Sequence, residues 1–342
     1  MRYAQFGNSG LMVSKLAFGA MTFGEGTLVG ELVNNIDQKG ADRMVSICLE
    51  SGVNLFDTAD MYTSGQSEIM LGQALKNKRQ DVLIATKCGF RSGQSLISSG
   101  LSYRYILQSI ENSLKRLNTD YIDLFFLHIP DPWTPLEETA RALEAAVQKG
   151  WIRYPAFSNF PAWKAQRIID IQQQHGFTPM AAAQMYYSML GRDLDTDYKG
   201  FLETNGLGLM AWSPLASGFL SGKYTEKNPV PEDSRRAKFD FPPVDVDKGY
   251  GVIKLLQTIA DKHSISVAQV ALAWVMQRSF VSSVIIGATK EEQLRENLGA
   301  AEAHLDSEDI TLINELTAVV APYPAWMQPM GVDAQTVDAL KS

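Results

Sequence analysis

The sequence predicts an α/β protein of the (β/α)8 TIM-barrel class, with an N-terminal β-hairpin that plugs one end of the barrel. Along the 342-residue chain, apolar runs of four to six residues alternate with segments of helical period. This alternation is typical of βα units around a parallel sheet, and eight such units can be counted. A barrel of this class routinely occupies about 250 residues or more as one unit. We therefore expect a single domain over residues 1–342.

The first predicted element is a hairpin over residues 2–14 that turns at Asn8-Ser9-Gly10. It precedes the repeat, and we expect it to plug the lower end of the barrel. The predicted strands occupy residues 16–19, 53–56, 82–86, 123–128, 152–158, 181–184, 208–212 and 284–286. The predicted helices occupy residues 42–50, 67–75, 102–117, 136–149, 163–174, 266–277 and 291–300. Ser102 is a suitable N-cap for one of these helices, and Gly150 is a suitable stop for another.

Two segments depart from the repeat. Residues 219–249 are rich in Pro, Asp and Lys, and the tail from about 319 to 342 shows no clear period. Long irregular segments in compact folds tend to be functional. The sequence therefore predicts an irregular lid loop over 219–249 and a tail that helps to roof the barrel mouth.

The composition and charge of the chain exclude several classes of function. The chain is 45% hydrophobic and 20% charged, which is enough to bury a core. Its net charge is −7 and its basic residues do not cluster, so we expect no nucleic-acid partner. Neither a signal-peptide pattern nor an apolar run of about 18 residues is seen, which predicts a cytoplasmic protein without a membrane partner. Cys48 and Cys88 lie far apart, so we expect reduced thiols and no metal.

Polar side chains follow nearly every predicted strand. The active site of a β/α barrel lies at the carboxyl ends of its strands. Strand two ends at Asp57 with Tyr62 five residues later, strand three leads into Lys87, and strand four ends at His128. The later strands end at Ser158-Asn159, Gln184, Trp212-Ser213 and Ile286-Gly287.

The first four of these residues suit proton transfer. A tyrosine with an ordinary pKa near 10 is a poor proton donor at neutral pH, and a nearby ammonium would lower that pKa. Lys87 can supply the ammonium, and Asp57 can hold Lys87 charged and oriented. His128 can bind the substrate oxygen beside the phenol of Tyr62. We therefore predict that Asp57, Tyr62, Lys87 and His128 are catalytic.

Each of these residues also has a structural interpretation. Asp57 could cap a helix, Lys87 could form a structural ion pair, and His128 could be a core histidine. Their joint arrival at neighbouring strand ends favours catalysis instead. Two nucleotide motifs fail: a dinucleotide fingerprint after Gly24 would need glycine where Val29 stands, and Gly218 to Lys223 is one residue short of a P-loop.

The segments NLFDTADMY, IATK and LFFLH carry this Asp, Tyr, Lys and His set in the order seen in the aldo-keto reductase family, which the chain resembles. WSPLASGFLSGKY and GATKEEQLREN resemble a branch that includes bacterial reductases and the β subunits of voltage-gated potassium channels. The channel subunits carry an amide where this chain has His128, and the histidine favours an enzyme.

The resemblance implies a nicotinamide cofactor across the later strands. Ser158, Asn159 and Gln184 would bind the carboxamide, and Trp212 would stack on the ring. The other implied cofactor contacts are Ala20, Met21, Asp57, Ser213, Pro214, Leu215, Gly218, Lys223, Arg235, Gly287, Thr289, Lys290, Gln293, Glu296 and Asn297. Gly287 stands where related reductases place a basic residue on the 2′-phosphate. Lys290 or Arg235 could supply that charge, so NADP(H) is favoured and NAD(H) stays open.

The implied substrate is a small carbonyl compound or alcohol. We expect an apolar pocket lined by Met21, Phe23, Tyr62, Phe90, His128 and Trp133, with Tyr323 and Trp326 from the tail. The alternative is a nicotinamide-binding, redox-sensing accessory subunit with little turnover. The physiological substrate, the direction of reaction, and a monomer against a homo-oligomer are left open by the sequence.

Overall fold

The computed structural model describes residues 1–29, 32–231 and 234–341. Its strands in chain order are β1 (Tyr3–Gln5), β2 (Met12–Ser14), β3 (Leu16–Gly19), β4 (Gly24–Val29), β5 (Leu32–Ile36), β6 (Leu55–Asp57), β7 (Leu83–Cys88), β8 (Ile122–Leu127), β9 (Ile152–Ser158), β10 (Ala182–Tyr186), β11 (Gly208–Trp212) and β12 (Val281–Ile286). Its α-helices are α1 (Gln38–Glu50), α2 (Gln66–Ala74), α3 (Tyr103–Leu117), α4 (Leu136–Gln148), α5 (Ala162–His175), α6 (Tyr198–Thr204), α7 (Arg235–Lys238), α8 (Val246–His263), α9 (Val267–Met276), α10 (Glu291–Gly299), α11 (Ser307–Leu316) and α12 (Ala334–Lys341).

Eight parallel strands close into a barrel in the order β10-β11-β12-β3-β6-β7-β8-β9. The prediction of a (β/α)8 TIM barrel is confirmed. All six residues of strand β8 (IDLFFL) are buried, which explains why apolar runs predicted the barrel strands. Strands of a parallel barrel are covered on both faces, so they are apolar along their whole length and do not alternate.

The N-terminal hairpin is confirmed as well. Strands β1 and β2 pair in antiparallel fashion, with Ala4 opposite Val13. Phe6 and Val13 are completely buried, and they share one apolar cluster with inward-facing barrel residues such as Leu124 and Met210. The hairpin therefore closes the end of the barrel at which the strands begin.

Helix ends follow the local sequence. The side chain of Ser102 accepts from the backbone N–H of Tyr105 and caps α3, as the sequence predicts. Gly150 adopts a positive φ of 71° directly after α4, a conformation that suits glycine. Within the described ranges, none of the helices combines the length and the apolarity that a membrane crossing requires.

Some elements differ from the sequence prediction. An antiparallel hairpin of β4 and β5 follows β3, and Gly24 enters it with a positive φ of 116°. The predicted lid over 219–249 includes α7 and the first residues of α8. Helix α8 begins in this segment because the Asp245 side chain accepts from the N–H of Lys248 and caps the helix. Residues 232–233 of that lid lie outside the described residues, as does Ser342. The predicted irregular tail contains α12.

Candidate active site

A buried ion pair lies between the ends of β6 and β7. Lys87 Nζ donates to Asp57 Oδ2 and to the carbonyl oxygen of Thr58, both at 2.6 Å. The second carboxylate oxygen, Asp57 Oδ1, accepts from Gln184 Nε2 at 2.8 Å. Lys87 is 0% exposed and Asp57 is 3% exposed. Burial lowers the pKa of Lys87, but the attraction of Asp57 and Tyr62 outweighs it, so that the pKa is raised and the ammonium stays charged.

Tyr62 lies beside this pair, at the start of a 3-10 turn after β6. Lys87 Nζ is 5.0 Å from the centroid of the phenol ring. The two residues after Tyr62, Thr63 and Ser64, are left-handed, with φ values of 46° and 53°. Thr63 Oγ1 donates to the carbonyl oxygen of Phe23 at 3.0 Å. A strained turn that is tied to the loop after β3 holds Tyr62 in place.

The pKa of Tyr62 shifts in the direction opposite to the sequence prediction. Lys87 was expected to lower the pKa of the phenol. Burial instead raises the pKa of Tyr62; Lys87 opposes this, and Asp57 adds to the increase. The physical reason is that a phenolate loses more hydration in this enclosed position than the ammonium returns to it. The phenol therefore carries its proton at neutral pH.

His128 follows β8 directly and lies against Tyr62. Its ring is edge-on to the Tyr62 ring, with centroids 5.9 Å apart, and to the Phe90 ring, with centroids 4.7 Å apart. Burial and the nearby Lys87 hold the pKa of His128 well below its usual value, so the imidazole is neutral. Its Nδ1 atom is buried and has no hydrogen-bond partner among the described residues. A buried imidazole nitrogen without a partner is unusual in a protein interior.

The residues implied for the nicotinamide carboxamide come together. Ser158 Oγ donates to the carbonyl oxygen of Gln184 at 2.7 Å, and Asn159 Nδ2 donates to Ser158 Oγ at 2.9 Å. Trp212 Nε1 donates to Asn159 Oδ1 at 3.2 Å. The bond from Gln184 to Asp57 joins this cluster to the ion pair. The ends of β6, β9, β10 and β11 thus form one connected polar surface.

The residues implied for the pyrophosphate lie in the turn after β11 and in the lid. Ser213 and Gly218 both have a positive φ, 52° and 88°. Lys223 is exposed. Arg235 begins α7, and its Nη2 atom is 4.0 Å from Met21 Sδ. Pro214 and Leu215 lie between Ser213 and Gly218 in the same turn.

Arg235 also reaches the neighbourhood of Tyr62. Burial lowers the pKa of Arg235, and the charge of the Tyr62 phenolate opposes this. Its Nε atom is buried and finds no partner in the part of the chain that the structure describes. The lid therefore contributes a partly desolvated cation close to the candidate proton donor.

A second surface lies between α1 and α10, where the adenosine end is expected. A cavity of about 370 Å³ is lined by Asp37, Arg43, Thr289 and Lys290, among others. The backbone N–H of Thr289 donates to Gln293 Oε1 at 3.2 Å. Gly287 and Glu296 are exposed, while Asn297 is buried in α10. Arg43 could not be predicted from the sequence, because it lies on α1, distant in the chain from α10.

Some residues that were predicted to line the substrate pocket do not join the cluster of Tyr62, Lys87 and His128. Phe23 is completely buried and packs against Phe18, with ring centroids 5.5 Å apart. Trp133 is 89% exposed. Tyr323 and Trp326 are exposed and contact each other, with ring centroids 6.1 Å apart. Ala20 is buried after β3, and its carbonyl oxygen accepts from Ser67 Oγ at 2.7 Å.

Two buried acids near Tyr62 were not predicted from the sequence. Asp60 lies in the segment between Asp57 and Tyr62, and Glu68 lies on α2; both are buried. The only signal was a second aspartate in DTADMY, which is more often a surface residue than a buried one.

Away from the barrel mouth, His263, Asp306 and Asp309 are close enough to share a metal ion. Lys262 Nζ already donates to Asp306 Oδ2 at 2.8 Å and to Asp309 Oδ1 at 2.9 Å. The Lys262 ammonium therefore already pairs with both carboxylates, and we interpret the group as an ion-pair cluster that includes the buried Asp309.

Comparison with known proteins agrees with this geometry. The aldo/keto reductase family matches residues 15–318. Two plant proteins described as a probable voltage-gated potassium channel subunit beta, from Arabidopsis thaliana and from Oryza sativa subsp. japonica, are each 38% identical over 314 residues. Each match covers 88% of this chain and 92% of the relative. The chain therefore belongs to the aldo/keto reductase family.

Proposed function

We propose that the protein is an NAD(P)H-dependent oxidoreductase that reduces aldehydes or ketones to alcohols, or catalyses the reverse oxidation, with Tyr62 as proton donor or acceptor. The observation that carries this proposal is the protonated phenol of Tyr62 between a buried ammonium, Lys87, and a neutral histidine, His128. A small carbonyl compound or alcohol is the proposed substrate, since the polar groups that converge here suit a single oxygen atom.

The donor set at the barrel mouth fits a nicotinamide. A carboxamide needs both donors and acceptors, and Ser158, Asn159 and Gln184 offer both kinds of atom in one connected cluster. When bound, a reduced nicotinamide supplies the hydride that the carbonyl carbon receives. We assign Ser158, Asn159 and Gln184 to the orientation of that ring, and the turn after β11 together with Arg235 to its phosphates.

The proton chemistry follows from the charge states. His128, being neutral, can donate a hydrogen bond to the carbonyl oxygen and place it beside the phenol. The Tyr62 hydroxyl gives its proton to that oxygen as the new C–H bond forms, and the phenolate that remains is stabilised by Lys87. Asp57 keeps Lys87 charged. In alcohol oxidation the phenolate accepts the proton and the steps run backwards.

Tyr62→Phe tests the proton donor. The purified protein is mixed with NADPH and 4-nitrobenzaldehyde, and loss of the reduced-cofactor absorbance is followed. General acid catalysis contributes about 10²- to 10⁴-fold, so we expect kcat to fall by about that factor in the variant while NADPH affinity stays within about threefold. Wild-type turnover that survives in Tyr62→Phe would exclude Tyr62 as the donor.

NADP(H) is the proposed cofactor in preference to NAD(H). Lys290 lines the cavity between α1 and α10, and Arg43 lies across it, so two cations are available to a 2′-phosphate. Glu291 engages Arg43 in an ion pair of 2.5 Å, which a phosphate would have to compete with. Side-by-side kcat/KM values for NADPH and NADH decide the preference.

A redox-sensing accessory subunit is the second candidate. The observation in its favour is the similarity to the two plant proteins described as probable voltage-gated potassium channel β subunits. Such a protein would retain nicotinamide tightly and show no turnover across a panel of aldehydes, ketones and secondary alcohols. His128 favours the enzyme, because a sensor does not need a group that positions a substrate oxygen.

A further inference from the structure

Asp60 is a buried carboxyl group that the proposed reaction does not use. It lies two residues before Tyr62 and is 3% exposed. Asp60 Oδ2 accepts from Ser109 Oγ at 2.9 Å and from the Tyr105 hydroxyl at 3.4 Å. Asp60 Oδ1 is buried and makes no hydrogen bond within the described ranges. An ionised carboxylate with a bare oxygen in such a place would be costly.

The neighbours of Asp60 compensate a negative charge only in part, because burial and the charge of Glu68 outweigh the effects of Ser109, Arg116 and Tyr105 on its pKa. Glu68 on α2 is a second buried acid, and it takes up the nearby cation, since Arg116 Nε on α3 donates to Glu68 Oε2 at 2.5 Å. The remaining titratable groups that face Asp60 are Tyr105 on α3 and Cys88 on β7. Burial, with the charge of Glu68 as the second cause, raises the pKa of Asp60 to about 7.

Asp60 belongs to the segment 58–62, which carries one of the proposed reacting groups, Tyr62. Its backbone N–H donates to the carbonyl oxygen of Lys87 at 3.1 Å. The same segment presents the carbonyl oxygen of Thr58 to Lys87 Nζ at 2.6 Å, and it ends at Tyr62. A movement of this segment therefore changes the distance between the phenol and the ammonium.

We propose that Asp60 is a positioning residue for Tyr62: as a neutral carboxyl group it holds segment 58–62 against α3, and its ionisation displaces the Tyr62 hydroxyl. A charged Asp60 must recruit water or shift toward solvent, because Arg116 is already paired with Glu68. This inference rests on the proposed function of Tyr62 as the proton donor. It adds a titrating group that touches neither substrate nor cofactor.

Fluorine NMR of protein labelled with 3-fluorotyrosine tests the proposal without any need for turnover. The Tyr62 and Tyr105 resonances, among those of 12 tyrosines, are assigned by their loss in Tyr62→Phe and Tyr105→Phe. Tyr105 contacts Asp60 and reports its charge, whereas Tyr62 reports the displacement. Both resonances are expected to titrate with a midpoint near pH 7 in the wild type, and neither in Asp60→Asn.

Rate measurements supply the second readout. Wild-type kcat for carbonyl reduction is expected to fall above that midpoint, by up to about tenfold per pH unit, and kcat of Asp60→Asn is expected to stay level. Asp309→Asn is the matched control, because it makes the same change in a buried carboxyl group on α11. It should keep the wild-type profile.

Glu68→Gln keeps the proposal testable if Asp60→Asn does not fold. Loss of the Glu68 charge should move both fluorine midpoints to lower pH, and unchanged midpoints would overturn the proposal. So would a Tyr105 resonance that titrates while the Tyr62 resonance stays fixed. If both resonances titrate but no carbonyl compound is turned over, the proposed function fails and the link between Asp60 and Tyr62 stands.

Discussion

Lys87 is the residue on which the most interactions of the site converge. It is completely buried and charged, and it is held by Asp57 and by the carbonyl oxygen of Thr58. Buried ion pairs give little net stability compared with apolar replacements, but removal of one partner leaves the other uncompensated. The pair therefore adds little net stability to the fold, and in the proposed mechanism its electrostatics act on Tyr62.

The variant Lys87→Met tests this balance. It leaves Asp57 buried without a cation, and we expect the free energy of unfolding to fall by about 3–5 kcal/mol. The double variant Asp57→Asn/Lys87→Met should lose clearly less than the sum of the two single changes. Urea unfolding measures all three proteins. Lys199→Met, in the partly exposed i,i+4 pair with Glu203, is the control and should change stability by less than about 0.5 kcal/mol.

The clustering of the candidate site residues could be predicted from the sequence, but the shifts of their pKa values could not. Asp57, Lys87 and His128 were predicted to lie together because the barrel topology places every strand end at one mouth. The pKa of Tyr62 moved opposite to expectation, and Asp60 was missed, because burial at these positions is set by the packing of α2 and α3. Such burial depends on contacts between residues that are distant in the chain, which a pattern of residue types does not reveal.

At the scale of elements, α2 packs against the segment 58–62 that carries Tyr62. Ser67 Oγ donates to the carbonyl oxygen of Ala20 and shares a hydrogen bond of 2.8 Å with Thr58 Oγ1. Gly72 lets this helix approach α3, since a Cβ at that position would lie 2.3 Å from the carbonyl oxygen of Leu117. The close approach brings Glu68 to Arg116.

Gly72→Ala should therefore destabilise the protein although alanine is the better helix former. Forcing α2 away from α3 is an overpacking change, and we expect a loss of about 1–3 kcal/mol. Gly251→Ala on α8 is the matched control, because a Cβ there meets open space, and it should gain about 0.5–1 kcal/mol. Thermal and urea unfolding of both variants measure the difference. Equal effects at both positions would show that the helix contact does not limit the substitution.

The strands were predicted more completely than the other elements. Their apolar runs reflect burial on both faces, which any parallel barrel imposes. The hairpin of β4 and β5 was missed because LVNNI in β5 lacks a clear apolar alternation and because β4 contains two glycines, Gly24 and Gly26, which weaken the signal of a strand. Helix α8 was not among the predicted helices, because its first residues lie in a Pro- and Asp-rich stretch that predicted a lid loop; Asp245 acts there as the N-cap.

At the scale of the whole molecule, the N-terminal hairpin and the candidate active site lie at opposite ends of the barrel. The hairpin of β1 and β2 buries Phe6 and Val13 where the strands begin, while Asp57, Lys87 and His128 lie where strands end. The shape of the barrel mouth therefore does not depend on direct contact with the hairpin of β1 and β2. The side-chain layers of a barrel separate its two ends.

Phe6→Ala tests this division. The side chain is 0% exposed, so its truncation should lower the free energy of unfolding by about 3–5 kcal/mol. Met12 on β2 is 55% exposed, so Met12→Ala should change the free energy of unfolding by less than about 0.5 kcal/mol. In both variants, below the unfolding transition, NADPH affinity and KM for 4-nitrobenzaldehyde should match the wild type, because the layers of packed side chains between plug and mouth stay filled. A change of KM in Phe6→Ala that is absent in Met12→Ala would mean that the two ends are mechanically coupled, and that the hairpin shapes the site as well as closing the barrel.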